Sequence, residues 1–249
     1  MSIEIENLHK SLGGRKILRG FSLDAREGET LSVIGHSGAG KSVTLKHIIR
    51  LIEPDEGEIR VDGQIVGELE QDELYELRRQ VGYVFQFAAL FDSMTVRDNV
   101  AMGLRRVRGM EEAEIQNRVS GSLYLVDLEG VEDLYPSELS GGMQKRVGLA
   151  RAIATQPKYL LYDEPTTGLD PVTVTVIDRL IVRMNEELGV TSILVTHDME
   201  SAYRVSDRIA MLHEGRVRAV GTPEEIRASD DPVIQGFIQG KPELLEGAE

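Results

Sequence analysis

Gly35-His36-Ser37-Gly38-Ala39-Gly40-Lys41-Ser42 fits G-x-x-x-x-G-K-[S/T] at every specified position. The glycines let successive backbone N–H groups turn inward and cradle the β- and γ-phosphates of a nucleotide. Lys41 adds a point charge and the Ser42 hydroxyl is placed to ligate Mg²⁺. Thr30-Leu31-Ser32-Val33-Ile34 reads as a buried strand before the loop, and Lys41 to Arg50 as a helix after it. That helix begins at the phosphates, where its positive end favours an anion. A plain glycine turn would satisfy the four specified positions by chance in about one such chain in a hundred. The stretch therefore implies nucleoside triphosphate binding on a strand–loop–helix unit.

Bulk properties narrow the remaining classes. The 249 residues carry 28 basic and 42 acidic side chains, a formal charge of −14. A chain this acidic lacks the basic surface that phosphate neutralisation needs, so no nucleic-acid partner is expected. Cysteine is absent, which excludes disulfides and Cys-ligated metals. Met1-Ser2-Ile3-Glu4-Ile5-Glu6 alternates and is acidic, unlike a signal peptide. No apolar stretch approaches the ~18 residues of a membrane span. The expectation is a soluble cytoplasmic chain.

Strand and helix patterns alternate along most of the chain. Strands are expected at residues 3–8, 20–25, 30–34, 58–61, 81–85, 159–162, 191–195, 208–212 and 216–220. Helices are expected at 41–50, 72–80, 96–104, 111–126, 141–154, 172–188, 199–205 and 223–228. Between about Phe87 and Lys158 only helical patterns occur, which reads as a helical subdomain inserted into a largely parallel α/β core.

A second constellation complements the phosphate loop. Tyr159-Leu160-Leu161-Tyr162 is an apolar strand ending in Asp163-Glu164. A buried parallel strand delivers its C-terminal residues to the sheet edge at which nucleotides bind. Asp163 suits Mg²⁺, directly or through water, and Glu164 suits polarising the water that attacks the γ-phosphate.

Further motifs resemble the ABC-type ATPases over essentially the whole chain. Leu139-Ser140-Gly141-Gly142-Met143-Gln144 is similar to the LSGGQ signature, with Met143 where Gln is usual. Gln86 stands in the Q-loop position, His197 matches the switch histidine, and Gly168-Leu169-Asp170 matches the D-loop. The resemblance implies a P-loop NTPase (RecA-like) core with an antiparallel β edge. It places that core at about 1–86 and 159–240, the helical subdomain at about 87–158, and a short tail at 241–249, all in one ABC ATPase domain. It implies that Gly35, His36, Ser37, Gly38, Ala39, Gly40, Lys41, Ser42, Val43 and Gln86 bind ATP and that Ser42, Gln86 and Asp163 hold Mg²⁺. Glu164 and His197 become catalytic. Ser140 to Gln144 and Asp170 then face the ATP of a second subunit, so the family works as a homodimer beneath an integral membrane permease. Leu12, in Ser11-Leu12-Gly13-Gly14, occupies the place of the aromatic on which adenine stacks in many relatives, and it lacks a π-face.

A narrower likeness concerns residues 40–49, 85–96 and 231–240, which look like the Mla/Mce group of bacterial lipid-transport ATPases. It implies phospholipid transport from the cytoplasmic face of the inner membrane. Its partners would be an MCE substrate-binding protein and a small STAS-type cytoplasmic protein. Amino-acid importers share part of the pattern, so a small-solute importer is the alternative. A soluble ABC protein of DNA repair or ribosome function would need a coiled-coil insertion or a second ATPase unit, and neither is present. Phe87-Ala88-Ala89-Leu90-Phe91 follows Gln86 and reads as the permease-docking segment; core of the subdomain is the competing reading for Ala88 and Ala89.

Overall fold

The computed structural model describes residues 2–241. Its elements begin with β1 (Ile3–Leu12), β2 (Arg15–Ala25), β3 (Thr30–Ile34), α1 (Lys41–Ile48), β4 (Glu56–Val61) and β5 (Gln64–Ile65). They continue with α2 (Gln71–Arg79), β6 (Val81–Val84), α3 (Val96–Ala101), α4 (Glu112–Leu125), α5 (Gly141–Ile153) and β7 (Tyr159–Asp163). The last are α6 (Pro171–Leu188), β8 (Thr191–Thr196), α7 (Met199–Val205), β9 (Arg208–His213), β10 (Arg216–Gly221), α8 (Pro223–Arg227) and α9 (Pro232–Gln239). Of the tail expected at 241–249, residues 242–249 lie outside the described residues.

One compact unit comprises residues 2–74 and 191–241. Its first sheet runs β10-β9-β3-β8, with β3 parallel to both β8 and β9 and β10 returning antiparallel. Every residue of β3 and of β8 is buried. This is the reason both read as near-continuous apolar runs, since parallel strands are covered on both faces. The second sheet, β2-β1-β4-β5, is antiparallel throughout. The β1–β2 hairpin extends beyond its apolar part to Leu12 and Arg15, turning at Gly13 (φ 57) and Gly14 (φ 79). On β1 the next three residues, His9 to Ser11, are polar and half-buried or exposed, so hydrophobic alternation stops at Leu8 although the ladder does not.

The second unit comprises residues 75–190. Here β6 and β7 pair in parallel, Val81 opposite Tyr159 through Val84 opposite Tyr162. Helices α3, α4 and α5 lie between these strands in sequence, and residues 87–158 contain no strand. The compact unit takes in β6, β7 and α6 as well, because Tyr159, Leu160, Leu161, Tyr162 and Ile177 are fully buried. Asp170 caps α6 by accepting the Val172 and Thr173 N–H groups at 3.0 and 3.1 Å, and Gly189 ends it in the left-handed region.

Helix α9 has no counterpart among the expected elements. Its signals are nonetheless local: Asp231 accepts from the Val233 and Ile234 N–H groups, Pro232 opens the first turn, and Gly240 closes the last at φ 64. Eight residues containing a glycine are too few for a clear helical period. What holds the helix is burial of Val233 and Ile234 against Ile34, Ile209, Met211 and Ala202. Ile234→Ala should therefore cost roughly 2–5 kcal/mol of stability, read as a lower denaturant midpoint at unchanged slope.

Candidate functional site

The phosphate loop leaves β3 at Gly35 and enters α1 at Lys41. A Cβ on Gly35 would lie 2.4 Å from the Leu212 carbonyl oxygen, and one on Gly40 (φ 108) would lie 2.8 Å from Ile17 Cγ2. Those two glycines are required by close approach, and Gly38 (φ 81) by its conformation alone. Gly40 caps α1 without any side-chain hydrogen bond, so the first turn presents backbone rather than a competing carboxylate. Lys41 is buried, and its Nζ donates to Gly35 O at 2.7 Å and His36 O at 3.2 Å. His36, Ser37 and Gly38 are exposed above it, with Ser42 and Val43 half-buried behind. This is a backbone cradle with a cation beneath it, as a triphosphate requires.

Strand register decides what stands beside the loop. Ile34 is opposite Thr196 of β8, so Gly35 and His197 both leave the same edge of the sheet one residue later. His197 is exposed there, while Asp198 turns away to cap α7 by accepting from Ser201 N at 3.1 Å. Leu12 sits 40% exposed at the end of the β1–β2 hairpin, where it offers an aliphatic surface.

In the second unit β7 ends in a buried pair of carboxylates, Asp163 and Glu164. Asp163 Oδ2 accepts from the Tyr83 hydroxyl at 3.0 Å, and the Tyr83 ring packs on Phe85 at 4.4 Å between centroids. Burial first, then the Asp163 charge, pushes the Tyr83 hydroxyl far above its ordinary range. Tyr83 therefore stays a donor and orients the carboxylate. Glu164 adopts the left-handed region (φ 50), and its Oε2 accepts from Thr167 Oγ1 at 3.3 Å. Lys145 of α5 donates to the Gln86 carbonyl oxygen, close enough to Glu164 for its ammonium to feel that charge.

The signature residues open α5. Ser140 Oγ caps the helix by accepting from Met143 N at 3.3 Å. Ser140, Gly141, Gly142, Met143 and Asp170 line one cleft of about 540 Å³ in this unit. Gln144 does not line it; its Nε2 donates back to Pro136 O at 2.9 Å. Met143 thus occupies the cleft position and Gln144 braces the turn before the helix. Asp170 is held below the usual carboxylate range, chiefly by the Thr173 hydroxyl and then its N–H.

Tyr83, Lys145 and Ile17 were not legible in the sequence as site residues. Each acts through a neighbour distant in the chain, and nothing in its local pattern marks it.

The family described as ABC transporter matches residues 18–167. The chain is 41% identical over 239 residues to the intermembrane phospholipid transport system ATP-binding protein MlaF of Haemophilus influenzae, spanning 96% of this chain and 90% of that protein. It is 43% identical over 233 residues to the methionine import ATP-binding protein MetN of Xylella fastidiosa, spanning 92% and 69%. Among solved structures it is similar, at TM-score 0.81 and 36% identity, to a dimeric ATP-binding cassette in a post-hydrolysis state bound to ADP and Pi. That match covers 89% of this chain and 98% of the other.

The Tyr83–Asp163 bond has a measurable signature. A tyrosine pKa raised on folding contributes fully below the unfolded value of about 10 and is lost as pH climbs past it. Tyr83→Phe should cost about 1–2 kcal/mol at neutral pH and flatten the fall in stability on the alkaline side. Urea midpoints measured from neutral to alkaline pH would reveal both effects.

Proposed function

The chain belongs to the ABC transporter family as its ATP-binding, ATP-hydrolysing subunit, and on that premise we propose that it powers phospholipid transport between bacterial membranes. The observation that carries the lipid reading is the 41% identity to a phospholipid-transport ATPase across 90% of that protein's length. The likeness at residues 85–96 and 231–240 points the same way.

The chemistry assigned to this chain's residues follows from their types and surroundings. The loop N–H groups and Lys41 bind the triphosphate. Ser42, Gln86 and Asp163 offer oxygen donors, the kind Mg²⁺ selects, and that ion supplies charge neutralisation on the phosphates when bound. Glu164 takes the proton of the attacking water, and His197, exposed at the edge beside Gly35, meets charge developing on the γ-phosphate. Ser140, Gly141, Gly142 and Met143, with Asp170, serve the ATP of a second copy, so the working form is a homodimer. Ser140 and Gly141 are exposed at the start of the thirteen-residue α5, which supports this, as a helix N-terminus favours an anion. Leu12 makes the adenine contact an aliphatic one.

Among the described residues no helix is long and apolar enough to cross a membrane. We place the chain at the cytoplasmic face of the inner membrane, held there by an integral permease. An MCE substrate-binding protein and a STAS-type cytoplasmic protein are the further partners of this reading. Phe87 is 78% and Phe91 49% exposed, whereas Ala88 is buried. Two exposed aromatics around a buried anchor suit docking, because aromatic side chains dominate such contacts. The identity to a methionine-import ATPase supports a small-solute importer as the second reading.

Glu164→Gln should retain ATP binding and lower turnover by on the order of a hundredfold or more, measured as phosphate release from the assembled transporter. Wild-type turnover in that variant would remove Glu164 from its role. Deleting the chain should disturb outer-membrane lipid asymmetry and leave amino-acid uptake intact; the opposite pattern favours the importer. Phe91→Asp should leave a folded, ATP-binding chain that no longer co-purifies with its permease. Normal assembly would exclude the docking role.

A further inference from the structure

The loop that follows Gln86 is bound to the signature helix by its main-chain oxygens. Lys145 Nζ donates to Gln86 O, and the Arg151 guanidinium donates through Nη2 to Ala88 O and through Nη1, at 2.7 Å, to Ala89 O. Between the two cations Gly148 brings the α5 backbone so close that a Cβ there would stand 3.3 Å from Ala88 Cα and Cβ. Ala88 is buried against that glycine, while its neighbour Phe87 is turned out to solvent. Both Ala88 (φ 59) and Ala89 (φ 50) are left-handed, a conformation alanine adopts only under constraint. Burial pushes Lys145 and Arg151 below their ordinary values, and the Glu164 charge pulls Lys145 back up.

We propose that Lys145 and Arg151 are positioning residues that clamp the 86–89 loop to α5 by its carbonyl oxygens, so that loop and signature helix move as one piece. The reason is energetic asymmetry. Two adjacent left-handed alanines would relax on their own, and three charge-assisted hydrogen bonds from a buried lysine and a half-buried arginine oppose that relaxation. Any displacement of α5 then carries Gln86 and the exposed Phe87 with it. Lys145 also feels the Glu164 charge, so the clamp bears on the electrostatics of the residue assigned above to activating water. The consequence for turnover and docking rests on the function proposed above; the clamp itself does not.

The test uses the full chain with two readouts. In nucleotide-free protein, amide hydrogen exchange across residues 86–92 should quicken by about tenfold or more in Lys145→Met and in Arg151→Met, with other regions unchanged. Lys145→Arg and Arg151→Lys should restore most of the protection. Ala88→Gly with Ala89→Gly should reduce the dependence on Arg151, because glycine removes the strain that the arginine restrains. In steady-state hydrolysis, Lys145→Met should lower kcat severalfold while KM for ATP stays within about twofold, since the phosphate loop carries ground-state binding. Unchanged exchange in both methionine variants would overturn the clamp. Quickened exchange with unchanged kcat would overturn the positioning role. A wild-type chain without ATPase activity would sink the proposed function and leave the exchange result to decide the clamp. If Lys145→Met does not fold, the arginine and lysine variants decide through the same two measurements.

Discussion

Gly35 leaves β3 so near the Leu212 carbonyl that no side chain fits between them. The constraint is backbone against backbone. β9 runs parallel to β3, and the chain must turn off the end of β3 without room for a Cβ. Once that turn is set, Gly38 and Gly40 follow in left-handed conformations, α1 starts with its N–H groups bare of a side-chain cap, and Lys41 is drawn beneath the loop. The cradle is thus a product of sheet packing.

Cations bonded to main-chain oxygens recur through the molecule. Lys41 holds Gly35 and His36, Arg50 holds Val66, Gly67 and Leu69, and Arg151 holds Ala88 and Ala89. In a chain with net charge −14, these basic side chains are spent on ordering loops. Guanidinium suits this use because its planar fork meets several carbonyls at once and stays charged when partly buried. Loops that lack sheet partners satisfy their backbone this way, and their glycines and alanines keep conformations that the local sequence would not choose. The same device therefore serves the phosphate loop and the loop that bears the exposed Phe87.

The alternation of buried strands and helices was legible because parallel strands read as apolar runs and the glycine–lysine pattern ties a strand to a helix. Thr30–Ile34, Tyr159–Asp163 and Thr191–Thr196 are almost the strands expected. Asp163, Glu164, Ser140 and Asp170 stood out as candidates for the same kind of reason, since each belongs to a contiguous motif whose chemistry is local. The outer end of the β1–β2 ladder, His9–Leu12 with Arg15–Arg19, and the short α9 were not, because backbone pairing and a buried face rather than residue periodicity sustain them.

Sequence alone determined the nucleotide chemistry of this chain, because phosphate recognition depends on consecutive backbone groups and a lysine at fixed spacing. It also determined the order of the elements other than β5 and α9, through the period of their apolar residues. Tertiary structure decided the rest. It chose Tyr83 to orient Asp163, turned Gln144 away from the signature cleft and left Met143 in it, and set Lys145 on the carbonyl of Gln86. These contacts join residues from 8 to 80 positions apart through side-chain reach and burial. Periodicity reports which face of an element is buried, and it carries no record of which distant atom a buried polar group will find.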